Sequence, residues 1–125
     1  MMIVKTYLAE SRIHGIGIFA GEPIKKGQVI WELMEGLDPV FDAALLQTAP
    51  EPIRSYLQRY TYPHYADTGK IILDGDNGRF MNHSTTPNTD FRDMHAHLGY
   101  AIADIAEGEE ITCNYGEFAP GFVFD

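Results

Sequence analysis

The chain has 125 residues, 45% of them hydrophobic, with 18 acidic against 9 basic side chains and a formal charge of −9. Such a length suits one domain; the charge excludes the basic stripe of a nucleic-acid binder and favours cationic partners such as a Lys/Arg-rich peptide, although net acidity is also ordinary solubility. The one cysteine, Cys113, excludes an internal disulfide and a Cys-rich zinc site within this chain, and no run approaches the ~20 apolar residues of a membrane span.

The N-terminal run Met1-Met2-Ile3-Val4-Lys5 lacks the charged-then-apolar layout of a signal peptide. A soluble intracellular protein, cytoplasmic or nuclear and not secreted, is the expectation. Alternation from Ile3 to Leu8 predicts a short strand. Gly15-Ile16-Gly17-Ile18-Phe19-Ala20 fits the dinucleotide pattern G-x-G-x-x-A, but that pattern must open a helix. Here Gly21-Glu22-Pro23 follows, and the next apolar run, within 28–34, is a β-branched and aromatic strand. The glycines are better read as letting backbone pass close to a ligand, since they carry no Cβ. A plain hairpin glycine is the bland alternative.

Asp38-Pro39 predicts a helix start, with Asp as N-cap and Pro as the first helical residue. Pro50 and Pro52 break it, and Ile53, Tyr56, Leu57 and Tyr60 at i, i+3, i+4, i+7 predict a second short helix. Residues 38–60 are thus the one helical insert of a mostly-β chain. Short strands are expected at 62–65, 71–73, 89–94 and 98–103, with a last strand carrying Ile111 and Thr112. Asp74-Gly75-Asp76-Asn77-Gly78 is a turn; it lacks the spacing and terminal Glu of a calcium loop. His95 and His97 share one strand face without a third ligand, so no metal site is expected. Cys113 and His83 could be named nucleophile and base, but no nucleophile elbow surrounds the cysteine.

Two further stretches are dense in hydrogen-bonding groups: 79–88, RFMNHSTTPN, and 108–116, GEEITCNYG. Side chains this polar are buried only where they find partners. With the glycine pair, and in this order, they resemble the SET domain, the fold of most protein-lysine methyltransferases. That family carries G-x-G, then R-F-x-N-H-S-x-x-P-N, then G-E-E-[IL]-T-x-x-Y-G, and the likeness runs from about Tyr7 to Gly116. It implies a SET fold of β-clip type: several small curved sheets, with the central motif and the last strand crossing as a pseudoknot. Residues 1–116 would form the domain, and 117–125 a short aromatic tail completing the site.

The resemblance also implies an activity, S-adenosylmethionine-dependent transfer of methyl groups to a protein lysine, on a histone-like, basic protein or peptide. Backbone at Ile16, Gly17 and Ile18 would border the methionine part of the cofactor. Arg79, Asn82 and His83 match the cofactor contacts, Asn82 at the amino-acid end and His83 through backbone near the adenine. Tyr115 matches the catalytic tyrosine; its bland reading is a buried tyrosine at a strand end with a satisfied hydroxyl. Tyr65, or another aromatic of 56–65, would line the lysine channel, with Cys113 beside it; Phe118 and Phe122 would cover the adenine or close the channel. The chain departs from the family at Thr85, often Cys, and at Cys113 and Asn114, often an aromatic and Asp. The Cys-rich zinc segment common after the domain is missing, so the tail, or a second subunit in a homodimer, would finish the channel. A non-catalytic SET-fold module that binds a basic peptide is the alternative.

Overall fold

The structure, a computed structural model, describes residues 1–93 and 97–118. It opens with an antiparallel hairpin, β1 (Thr6–Glu10) against β2 (Ile16–Ala20), in the register Thr6↔Ala20 to Glu10↔Ile16. β3 (Val29–Glu32) follows, then β4 (Val40–Asp42) and two helices, α1 (Leu45–Thr48) and α2 (Glu51–Tyr60). β5 (Thr61–Pro63) and β6 (Lys70–Leu73) lead to a 3-10 turn at Asn77–Phe80. The short strands β7 (Asn82–His83), β8 (Thr89–Asp90), β9 (Leu98–Ala101) and β10 (Thr112–Cys113) complete the chain, with a second 3-10 turn at Tyr115–Glu117.

The sheets are small. β3, β9 and β8 pair in that order, β4, β6 and β5 form another, and β7 lies parallel to β10 with Asn82 opposite Thr112 and Cys113 opposite His83. This last pair joins the two dense stretches. Asn88 ties them further: its Nδ2 donates to the Glu110 carbonyl at 2.8 Å, and its Oδ1 accepts from Thr112 N at 2.9 Å. Thr89 Oγ1 donates to the Thr112 carbonyl at 2.7 Å. Polar side chains therefore satisfy backbone groups where the strands are too short to do so. One apolar core runs beneath, built on Ile18, Ile24, Ile30, Trp31, Ile105 and Ile111.

The insert differs from the expectation. Asp38 does not start a helix; it is buried, and its carboxylate collects the Met1 ammonium at 2.9 Å, Met34 N at 3.0 Å and Gly75 N at 2.9 Å. A carboxylate with two distant donors besides Met34 N is engaged away from the local chain rather than as a cap, and residues 40–42 extend as a strand instead. Proline at the start of α2 fits, because its missing N–H lies where none is needed. Of the α2 stripe only Leu57 is buried; Ile53 is 53% and Tyr56 40% exposed. β1 begins at Thr6 rather than Ile3. The expected strand at 89–94 is only Thr89–Asp90. Met94, His95 and the tail from residue 119, with Phe122, lie outside the described residues.

Candidate active site

Two cavities flank the paired strands β7 and β10. The wider, outer one is a cleft between the β1–β2 turn and the central motif, lined by His14, Ile16, Arg79, Phe80, Asn82 and His83 among others. The inner one is lined by Trp31, Tyr62, Phe91, Met81, Cys113 and Phe118, with Asp74 and Gly78. Four residues line both: Arg59, Tyr60, Arg79 and Tyr115. The cavities therefore adjoin at Tyr115.

In the outer cleft the Asn82 amide is fixed by both its N–H groups, which donate to the His14 carbonyl at 3.1 Å and to Glu110 Oε2 at 3.0 Å. Ser11 Oγ donates to the same carboxylate at 2.7 Å. An amide held this way offers Oδ1 as its remaining acceptor. Gly17 leaves room for this arrangement: a Cβ there would come 2.5 Å from Glu110 Oε2 and 3.1 Å from Asn82 Nδ2, so the carboxylate would have to shift. Arg79 Nη1 donates to the Asp76 carbonyl at 3.1 Å while its Nε is buried without a hydrogen-bond partner. His83 Nδ1 accepts from Tyr115 N at 3.0 Å, and desolvation lowers its pKa, keeping the imidazole neutral.

The inner cavity is aromatic. Tyr62, Phe91 and Tyr115 surround Phe118 at centroid distances of 5.4, 5.8 and 5.9 Å, and Trp31 meets Phe91 edge-on at 5.5 Å. Tyr115 Oη donates to the Met81 carbonyl at 2.6 Å. Burial, then the neighbouring Cys113, raises the Tyr115 pKa, so the phenol keeps its proton at neutral pH and cannot serve as a base. Burial likewise pushes the Cys113 thiol well up, which removes it as a nucleophile. At the floor Tyr62 Oη donates to Asp74 Oδ1 at 2.8 Å.

The structure brings together Ile16, Arg79, Asn82, His83 and Tyr115 around the cleft, and Cys113, Phe118 and Tyr115 around the inner cavity. Gly17 stands against Asn82 and Glu110. Ile18 is fully buried in the core, its carbonyl accepting from Ile111 N at 2.9 Å. Tyr65 lines neither cavity; it stacks on His64 at 4.2 Å and meets His97 at 4.4 Å. Tyr60 and Tyr62, from the same aromatic stretch, line the inner cavity. Trp31, Asp74, Phe91, Arg59 and Glu110 were not singled out as lining or supporting residues. Only Glu110 had a signal, its place in the G-E-E triplet. Among the described residues no cluster of His, Cys, Asp and Glu could hold a metal ion, and no helix is long and apolar enough to cross a membrane.

Small sheets joined by a parallel strand pair thus carry a wide cleft and an aromatic cavity that share Arg59, Tyr60, Arg79 and Tyr115. The SET domain family model matches residues 15–116, and the chain belongs to that family. It is 33% identical over 117 residues to a Schizosaccharomyces pombe protein described as histone-lysine N-methyltransferase, H3 lysine-4 specific, a match covering 87% of this chain and 12% of that one. It is 32% identical over 113 residues to the Danio rerio N-lysine methyltransferase KMT5A-A, covering 82% of this chain and 33% of the relative. The chain thus spans less than two thirds of either relative's length. Its fold is similar to a humanized mutant of the Chaetomium thermophilum Polycomb Repressive Complex 2 bound to the inhibitor GSK126, with a TM-score of 0.64, 25% identity and coverage of 94% of this chain and 16% of that one.

Proposed function

We propose that this chain is an S-adenosylmethionine-dependent protein-lysine N-methyltransferase. The observation that carries this reading is the meeting of the two cavities at Tyr115. The outer cleft suits the cofactor's amino-acid end: Asn82 Oδ1 can accept from an ammonium, and the Arg79 guanidinium lining the cleft can pair with a carboxylate. When bound, S-adenosylmethionine supplies a methyl group already activated by its sulfonium. The protein's part is alignment and desolvation.

The aromatic walls of the inner cavity exclude water from an entering lysine, and that burial disfavours the charged amine, while the Asp74 carboxylate among the lining residues acts in the opposite direction. Tyr115 Oη, held by its bond to the Met81 carbonyl, gives the amine a hydrogen-bonding partner at the junction. Orientation of this kind contributes roughly 7–11 kcal/mol to lowering a two-reactant barrier. A phenol that stays protonated fits an orienting role rather than a base. The names of both relatives, a histone-lysine and an N-lysine methyltransferase, support a protein lysine as acceptor, and the net charge of −9 suits a basic, histone-like one. The test is transfer of labelled methyl from S-adenosylmethionine to a lysine peptide array, with the modified atom mapped by mass spectrometry. Labelled Nε of lysine is expected; saturable cofactor binding with no transfer to any peptide or lysate protein would point to the binding-module alternative.

A further inference from the structure

The charges in the inner cavity are sorted. Arg59 and Arg79 stand at the junction, lining both cavities, each against an aromatic ring: Arg59 lies 5.5 Å from the Tyr60 centroid and Arg79 4.8 Å from Phe80. Asp74 lines only the inner cavity and is 8% exposed. None of the ion pairs among the described residues involves it. Tyr62 Oη donates to Oδ1, and Oδ2 packs against Gly78, where a Cβ would come within 2.9 Å. The walls around it are Trp31, Tyr62, Phe91, Tyr115 and Phe118. Cys113 lines the same cavity as Asp74.

A buried carboxylate ringed by aromatic faces suits an alkylammonium, through ring quadrupole and opposite charge together. Methylation decides how well a given ammonium fits. An unmethylated ammonium carries three N–H donors and loses strong hydration on entering an apolar cavity. Each methyl replaces one donor with apolar surface matched to the rings. A trimethylated nitrogen has no N–H left for Asp74. We propose that Asp74 is the counter-ion of this cavity and makes it selective for lysine already carrying one or two methyl groups. This rests on reading the cavity as the lysine channel and names the substrate class within it.

The test needs neither cofactor nor turnover. Trp31 is the only tryptophan in the chain and lines the cavity, so its fluorescence reports occupancy. The probes are acetyl-lysine methylamides with zero, one, two or three Nε-methyl groups. Saturable binding of the mono- and dimethyl probes, about tenfold tighter than of the other two, is expected. Asp74→Asn should erase that preference. Should the variant fail to fold, the parent protein answers by its pH profile. Affinity for the dimethyl probe should fall as pH drops through about 6, where burial places the Asp74 carboxyl.

The groups facing Asp74 support that assignment. Tyr62 and Cys113 are both raised, away from this window. Asp38, Asp76 and the Met1 ammonium act on Asp74 electrostatically, and Arg59, Arg79 and Tyr115 line the same cavity. Equal or tighter binding of the unmethylated or trimethyl probe, an unchanged preference in Asp74→Asn, or a flat pH profile would overturn the proposal. Methyl transfer to unmodified lysine without such a preference would sink this inference and leave the proposed activity standing.

Discussion

Tyr115 Oη lies 2.6 Å from the Met81 carbonyl, a bond that joins the 79–88 and 108–116 stretches and fixes the phenol at the junction of both cavities. The ring packs against Phe118 and His83, at 5.9 and 5.3 Å. Tyr115→Phe keeps that packing and deletes one hydroxyl. Turnover in the variant should fall by one to several orders of magnitude, each ~1.4 kcal/mol of lost transition-state stabilisation being tenfold. Cofactor affinity should change little. Single-turnover kinetics beside calorimetry separate the two, and undiminished transfer would return Tyr115 to a packing role.

The Asn82 amide is held by Glu110 and the His14 carbonyl, and Gly17 leaves room for that carboxylate. Asn82→Ala should weaken S-adenosylmethionine binding by leaving partners unpaired. Gly17→Ala should do the same at a distance, by displacing Glu110. Calorimetric titration checks both, and parental affinity in either variant would remove that residue from the cofactor's support.

Cys113 lines the inner cavity at the position where relatives often carry Phe or Tyr, and its Sγ lies 4.0 Å from the Asn82 carbonyl. A thiol is smaller than a ring and only a weak donor. A methylated amine should therefore have room to rotate for a further transfer. Di- or trimethyllysine is the expected end product, and Cys113→Tyr should shift it toward monomethyl. Mass spectra at long reaction times decide; monomethyl product alone from the parent protein would contradict the prediction.

Burial raises the Asp74 carboxyl from its ordinary 3.8 to about 6. The folded state then holds more protons than the unfolded one between those values, so this group's contribution to stability falls as pH rises through the window. Its destabilising effect is complete above about pH 6. Asp74→Asn removes the titration. The melting temperature of the variant relative to the parent should therefore rise between about pH 4 and pH 7, as followed by circular dichroism. A difference constant with pH would mean that Asp74 titrates normally.

The acidic residues near Tyr115 do not act as one patch. Glu110 is turned in to Ser11 and Asn82, and Glu117 pairs with Arg92 at 3.5 Å. Asp104, Glu107 and Glu109 remain exposed. If these steer a basic peptide, kcat/KM should fall with added salt as the Debye length shortens below ~8–10 Å. A flat salt profile with a basic substrate would exclude steering.

What the sequence determined by itself was the set of short motifs and the chemistry they share with the SET family. Within each motif the polar residues are near neighbours in sequence. Asn82 and His83 are neighbours on β7, and Tyr115 opens the 3-10 turn just after β10, so each motif delivers its polar groups together once the two strands pair. What only the tertiary structure decided depends on partners far away. Asp38 resembles a helix cap in sequence, yet its donors come from Met1 and Gly75 on other segments. Tyr65 and Tyr62 are both aromatics of one stretch; folding sends Tyr65 to His64 and His97 and puts Tyr62 over the cavity floor. Asp74 reads as a turn residue until β5 and β10 close around it. A carboxylate's role follows from the donors and the dielectric that surround it, and those are set by packing between segments rather than by residue type.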